Sequence, residues 1–403
     1  MKISARARSI PPSVVFELGA RVSELKRAGE NVVSLGAGQP DFPSPREAVE
    51  AAQAFLESGQ VGYTPASGIP ELRAAAAELV SRVAGCSYEP SQVVVTSGAK
   101  EALALAIASA CDPGEEVLLP APGWLSYAPM CLAVDAVPVP VAGDPERGFR
   151  WNPDDLAAAI TPATRALVVN SPSNPTGLVY TRDELAAIAQ VCIDHDLLLI
   201  SDEIYWPFVY EGRFSSPAAL PGMAERTVVI NGLSKSHSMT GWRIGFLAAP
   251  EDMAKAAGSL KSHLTSNAAT PSQHAALAAL AAGDAHAEMM TVAFTRRRQL
   301  ALDALAAMPD VHLEAPGGAF YVFPRVDAYY GKHASGSIQG SVELSAALLE
   351  HVRLAVVPGA AFGEDRCVRL SIAAADEVLA DGLERMASFL ASLRQGAPAG
   401  PSC

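Results

Sequence analysis

The stretch "RTVVINGLSKSHSMTGWRIG", residues 226–245, decides how the chain is read. It opens on an apolar, β-branched run, Thr227 to Ile230, and then turns to small polar residues around one lysine, Lys235, with Arg243 further on. A strand that merely ends in a turn has no use for a cation there. Such a lysine either snorkels to water or pairs locally, or it serves a ligand presented at the strand end.

The same pattern recurs on either side. "QVVVTS" (92–97) precedes "AKEALALAIASA" (99–110), "RALVVNS" (165–171) precedes "RDELAAIAQVCIDH" (182–195), and "LLLISDE" (197–203) stands before "RTVVING" (226–232). Short apolar runs separated by stretches of helical period predict an α/β domain, a parallel sheet covered by helices on both faces, over residues 47–292. Beyond the helical "FTRRRQLALDALAAM" (294–308) the pattern changes to the separate strands "GGAFYVFP" (317–324), "LAVVPG" (354–359) and "CVRLSIA" (367–373), then a last helix over 375–393. That predicts a smaller α+β domain over 293–403, with residues 1–46 as an N-terminal arm joining it.

At 403 residues the chain can bury a large core in more than one domain. Its 43 acidic against 30 basic residues give a net charge of −13, which disfavours nucleic acid or an anionic membrane as partner. Six cysteines without a C-x-x-C pair fit neither a zinc knuckle nor a disulfide framework and suit a reducing cytoplasm. "MKISARARSIPPS" (1–13) lacks the apolar core of a signal peptide and no window spans a membrane, so a soluble, unprocessed chain is expected, with a frayed tail "GAPAGPSC" (396–403). No Walker A loop occurs, "LGAGQP" (35–40) lacks the third glycine of a dinucleotide fingerprint, and "DHD" (194–196) reads as a charged helix end, so no metal is expected.

In open α/β sheets ligands sit beyond the carboxyl ends of the strands, so polar residues there are the ones to question. In "VVVTSGAKEAL" (93–103) a strand stops at Ser97-Gly98 and a helix starts at once, leaving the amides of Ala99 and Lys100 for a phosphate, or for an ordinary capped turn. In "VVNSPSNPTG" (168–177) Asn170 and Asn174 either close Asx-turns or form a ligand wall. In "LLLISDEIYWPFVY" (197–210) Asp202 ends an apolar run, a costly place for a carboxylate unless a cation or several donors meet it, and Tyr205 follows. A phosphate cradle, a carboxylate, a phenol with an amide, and a partly desolvated lysine together suit the phosphate, ring nitrogen, ring hydroxyl and aldehyde of pyridoxal phosphate.

The order "SGAK" (97–100), "NPTG" (174–177), "SDEIY" (201–205), "SKSHSMTGWRIG" (234–245) and "VRLS" (368–371) resembles the class I/II aminotransferases of pyridoxal-phosphate fold type I, near the aspartate aminotransferase group. The resemblance implies a mostly parallel seven-stranded sheet in the large domain and pyridoxal 5′-phosphate bound as a Schiff base to Lys235. It further implies Asp202 on the ring nitrogen, Tyr205 and Asn174 on the ring hydroxyl, and Trp124 of "PAPGWLSY" (120–127) on the ring face. Gly98, Ala99 and Lys100, with Ser234 and Arg243, would hold the phosphate. Arg369 would grip the substrate α-carboxylate beside Gly38, with Trp124 and Asn174 also lining the substrate's place. Tyr63 of "GYTPASGIPELR" (62–73) would reach the phosphate of a neighbouring subunit, which implies a homodimer with shared sites. Gly232 stands where some relatives carry serine, removing one hydroxyl from the phosphate site.

The activity implied is ping-pong transfer of an amino group from an L-amino acid to a 2-oxo acid. Lys100 stands where some relatives use a lysine near the distal carboxylate of an acidic substrate, so aspartate or glutamate is the expected donor. Glu17, in "PPSVVFELGARVSEL" (11–25), lies either on a solvated helix face or near the site mouth, where it would favour a basic amino acid. An arginine or aromatic transaminase, or a lyase or oxidase on the same fold, are the alternatives. A sensor fused to a DNA-reading module is disfavoured, because the N-terminal segment is too short to hold one.

Overall fold

A computed structural model describes residues 2–331 and 338–395; the expected frayed tail and Cys403 lie outside the described residues. After a short strand β1 (Val33–Ser34), the apolar runs become β2 (Val93–Thr96), β3 (Glu116–Ala121), β4 (Val137–Ala142), β5 (Thr164–Asn170), β6 (Leu198–Asp202), β7 (Thr227–Gly232) and β8 (Gly245–Ala248). These last seven form one sheet in the order β2-β8-β7-β6-β5-β3-β4. The pairs β3–β4, β3–β5, β5–β6 and β6–β7 are parallel, while β8 runs antiparallel to both its neighbours. The expected mostly parallel seven-stranded α/β sheet is therefore what forms.

Alternation along the strands explains why both faces are covered. Val93, Val95, Val229 and Phe246 pack with the helices Pro70–Ala84 and Thr270–Ala281, whereas Val94, Val228, Ile230 and Leu247 pack with Ala99–Ala110 and Glu251–Leu264 on the other face. Leu167, Val169 and Leu199 meet the helix Arg182–Asp194, whose start is closed by a capping box between Thr181 and Glu184. Strands buried on both sides read as unbroken apolar runs, which is why they stand out in the sequence.

The later part of the chain adds β9 (Tyr321–Val322), β10 (Leu354–Ala355), β11 (Val357–Pro358) and β12 (Val368–Ser371). β11-β12-β9 form an antiparallel sheet, and β10 pairs in parallel with β1, which ties the N-terminal arm to this layer. The helices Ala285–Ala306, Ser341–Val352 and Asp376–Gln395 enclose its core. The first of them runs unbroken through residue 292. Ile204, Tyr205 and Phe208, just after β6, belong to the same core, so this layer is packed directly against the end of the larger sheet. No helix among the described residues is long and apolar enough to cross a membrane.

Register aligns the strand ends. Asn170 of β5 lies opposite Asp202 of β6, which lies opposite Ile230 of β7, and Gly232 pairs with Gly245 of β8. Gly245 lets β8 pass behind the Gly98 turn: a Cβ there would collide with the Ala99 amide nitrogen and the Gly98 carbonyl carbon. Both are backbone atoms that cannot swing aside. Gly245→Ala is expected to cost about 1–3 kcal/mol, seen as a lower urea midpoint at unchanged m-value; an unchanged midpoint would show that the turn has room to spare.

Candidate active site

Beyond the carboxyl ends of β5, β6 and β7, where the second layer closes over the sheet, lies a cavity of about 700 Å³. Its charged lining residues are Lys100, Lys235, Arg243 and Arg369 against a single acid, Asp202. In a chain of net charge −13 this is a local inversion of sign. Such a cavity suits anions.

Lys235 leaves β7 in the short helix Leu233–Ser236 and reaches the cavity floor, where its Nζ donates to the carbonyl of Gly38 at 2.5 Å. Burial first, then the nearby Arg369 and Arg243 cations, pull its pKa from the ordinary 10.5 to about 8, with Asp202 pulling the other way. A neutral amine is thus accessible close to neutral pH. Asp202, 4% exposed at the end of β6, accepts from Tyr127 Oη at 2.7 Å and from the amide of Ile204 at 3.3 Å. Burial raises its carboxyl to about 6 against the opposing pull of Tyr127, Ile204 and Lys235. The adjacent Glu203, one residue past the end of β6, does not line the cavity. It accepts from Ser201 and Ser216 at 2.9 and 2.5 Å, and burial pushes it to about 7.

Arg369 of β12 is 2% exposed and has no carboxylate partner among the described residues. Its Nη1 donates to Asn174 Oδ1 at 2.9 Å and its Nη2 to the carbonyl of Gly36 at 2.8 Å, while the Nε–H has no acceptor among the described residues. The guanidinium lies 4.5 Å from the Tyr321 ring centroid and 4.9 Å from that of Phe362. A buried guanidinium held in plane by neutral groups, with a donor left over, is prepared for a carboxylate from outside the chain. Asn174 is itself fixed through its amide to Asn170 Oδ1 at 2.8 Å.

The helix Ala99–Ala110 points its N-terminus at the same cavity. Gly98, at φ 88°, makes the turn, and the first amides of the helix have no preceding helical carbonyl to bond. A Cβ on Gly98 would strike the guanidinium of Arg243, which donates to the carbonyls of Thr240 and Ser97 at 3.0 and 3.1 Å. Ser234 lines the cavity nearby. This cradle of amides, a hydroxyl and a guanidinium fits a phosphate, and Asp202 and Lys235 fit a ring nitrogen and an aldehyde, so the residues present suit pyridoxal 5′-phosphate. A Cβ at Gly232 would lie 2.9 Å from both Gly245 Cα and the Ile244 carbonyl oxygen, so a serine does not fit there without moving β8.

Most residues singled out in the sequence converge here: Gly38, Ala99, Lys100, Trp124, Asn174, Asp202, Tyr205, Ser234, Lys235, Arg243 and Arg369 all line the cavity. Tyr63 does not; it is 94% exposed and lies outside its own chain's cavity lining. Glu17 is exposed and outside the lining, on the outer face of the helix Val14–Arg27. Asn170, singled out with Asn174, and two residues not singled out, Tyr127 and Tyr321, complete the site. Tyr127 holds Asp202, Asn170 donates to the Asp202 carbonyl at 3.0 Å, and Tyr321 meets Tyr205 hydroxyl to hydroxyl at 2.9 Å. Tyr127 had one signal, its place three residues after Trp124, and Tyr321 had none beyond an aromatic-rich strand.

Fold and cavity together suit a phosphorylated cofactor and a small carboxylate. The family model for aminotransferases of class I and II matches residues 30–386. The chain is 41% identical over 392 residues to an aspartate aminotransferase of Geobacillus stearothermophilus, covering 97% of this chain and 99% of that one. It is 41% identical over 389 residues to an aspartate/prephenate aminotransferase of Cereibacter sphaeroides, covering 95% and 97%. A solved structure of Thermus thermophilus aspartate aminotransferase with maleate is similar with a TM-score of 0.91 at 40% identity, covering 96% of this chain and 99% of that one. The chain belongs to the class I and II aminotransferase family, with the pyridoxal-phosphate fold type I, and it is an aminotransferase.

The Lys235 environment has a measurable consequence. In the cofactor-free protein, competitive labelling of amines should show Lys235 gaining reactivity with a midpoint near pH 8. Asp202→Asn removes the one charge that supports the ammonium form, so its midpoint moves lower. A midpoint near 10 in the parent protein would contradict this electrostatic picture.

Proposed function

We propose that the protein transfers the amino group of aspartate or glutamate to a 2-oxo acid by a ping-pong mechanism, using pyridoxal 5′-phosphate, as a cytoplasmic homodimer. The observation that carries this reading is the cavity's four cations against one acid, with Arg369 buried and lacking a carboxylate. Gly98, Ala99, Lys100, Ser234 and Arg243 would hold the phosphate, Asp202 the ring nitrogen, Tyr205 and Asn174 the ring hydroxyl, and Trp124 the ring face. The bound cofactor supplies an electron-poor ring that accepts the electrons of a broken substrate Cα–H bond.

The chain does the rest. Arg369 and Gly38 would bind and orient the α-carboxylate, Asp202 would keep a negative charge facing the ring, and Lys235, neutral in part near pH 8, would take the proton from the substrate Cα and pass it to the cofactor carbon that carried the aldehyde. Lys100, at the cavity mouth, has its Nζ 5.1 Å from the Trp124 ring centroid and 5.8 Å from that of Phe16, and no carboxylate pairs with it among the described residues. That supports a distal carboxylate on the substrate. With Glu17 outside the lining and Asp202 the sole lining acid, nothing in the cavity favours a basic side chain. The outward-facing Tyr63 supports a shared site in a dimer, and the five described cysteines, all free, suit a reducing compartment.

The test is a half-reaction with the loaded protein and a panel of amino acids. Aspartate and glutamate should discharge it fastest, releasing the corresponding oxo acid in stoichiometric amount, and 2-oxoglutarate should restore it. Release of ammonia without any need for an oxo acid would instead make the protein a lyase. Lys235→Ala should fold and bind cofactor but lose multiple turnover.

A further inference from the structure

Residues 36–41, between β1 and the helix Arg46–Glu57, carry two of the site's acceptors. The Gly36 carbonyl takes Arg369 Nη2 at 2.8 Å and the Gly38 carbonyl takes Lys235 Nζ at 2.5 Å. The segment has no helix or strand of its own. Its near end is fixed where the Leu35 amide donates to Ala355 and the Leu35 carbonyl accepts from Ser371 at 2.6 Å. Its far end is fixed differently. Asp41 receives a two-pronged ion pair from Arg297, Nη1 to Oδ1 at 2.8 Å and Nη2 to Oδ2 at 2.9 Å, besides a single backbone bond from its amide to Ala373 at 3.2 Å.

Arg297 is well made for holding. Its side chain is 6% exposed, on the helix Ala285–Ala306, and its guanidinium lies 5.3 Å from the Phe42 ring centroid and 5.8 Å from that of Phe294. Its Nε is taken by Asp376, at the start of the last helix, at 2.9 Å. Planar, stacked and engaged on both edges, this guanidinium has little freedom to follow a shift of the segment it grips.

We propose that Arg297 is a positioning residue for substrate binding: by gripping Asp41 it sets the 36–41 segment, and through the Gly36 carbonyl it aims the Arg369 guanidinium into the cavity. Arg297 does not line the cavity and acts only through this segment. The inference rests on the reading of Arg369 as the carboxylate site.

The two carboxylates of Arg297 allow positioning to be separated from stability. In single-turnover half-reactions of the loaded enzyme, Asp41→Asn should raise the apparent dissociation constant of the amino donor about tenfold, with the limiting rate changed less than about threefold. Asp376→Asn, which frees the Nε edge but leaves the fork to Asp41 intact, should lower the melting temperature and raise that constant less than about threefold. Arg297→Lys, which keeps the charge and loses the fork, should fall between. If Asp41→Asn lowers only the melting temperature, or if both carboxylate variants weaken binding equally, the clamp is purely structural and the proposal fails. Arg369→Lys separates the two possible failures: unchanged binding there overturns the carboxylate reading itself, whereas weakened binding there with unchanged binding in Asp41→Asn overturns the clamp alone.

Discussion

A buried cation, Arg369, and a half-buried one, Lys235, with one carboxylate to answer them, are the constraint around which the rest is arranged. Lys235 and Arg369 cannot both be taken from water cheaply. The fold meets them with backbone carbonyls at Gly38 and Gly36, the Asn174 amide oxygen and the faces of Tyr321 and Phe362, all neutral groups. That solution holds the side chains in place without neutralising them. It leaves a positive field for an incoming carboxylate to satisfy and keeps the lysine amine near its titration point.

Asp202 shows the converse. A second acid beside it, Glu203, is buried deeper in the protein and is held by two serine hydroxyls, while Asp202 faces the cavity and receives a phenol and an amide. The strand ends at Asp202, and the two neighbouring side chains pass into different surroundings. One carboxyl, pushed to about 7, lies outside the site; the other, at about 6, keeps enough support to remain ionised at neutral pH.

Much of this was legible in the sequence because parallel strands buried on both faces leave their polar residues only at the ends. Gly98, Asn174, Asp202 and Lys235 stood out for that reason. The long-range pairings that hold them did not. Tyr321 reaches Tyr205 across 116 residues, Arg369 reaches Asn174 across 195, and Arg297 reaches Asp41 across 256. No local periodicity announces a pairing of that length, and an arginine within "TRRRQ" on a helix reads as solvated surface. Tyr127 was hidden likewise, as a helix residue whose hydroxyl happens to point back at a strand end. Glu17 was left open between helix surface and site mouth, and the helix Val14–Arg27 turns it outward.

The central claim is that the amine at position 235 is where the cofactor attaches. Borohydride reduction of the protein loaded with pyridoxal 5′-phosphate, followed by peptide mass mapping, tests it without recourse to activity. The account predicts one reduced cofactor per chain, on the peptide that contains Lys235. Stoichiometric label on another lysine, Lys100 at the cavity mouth above all, with Lys235 unmodified, would contradict it.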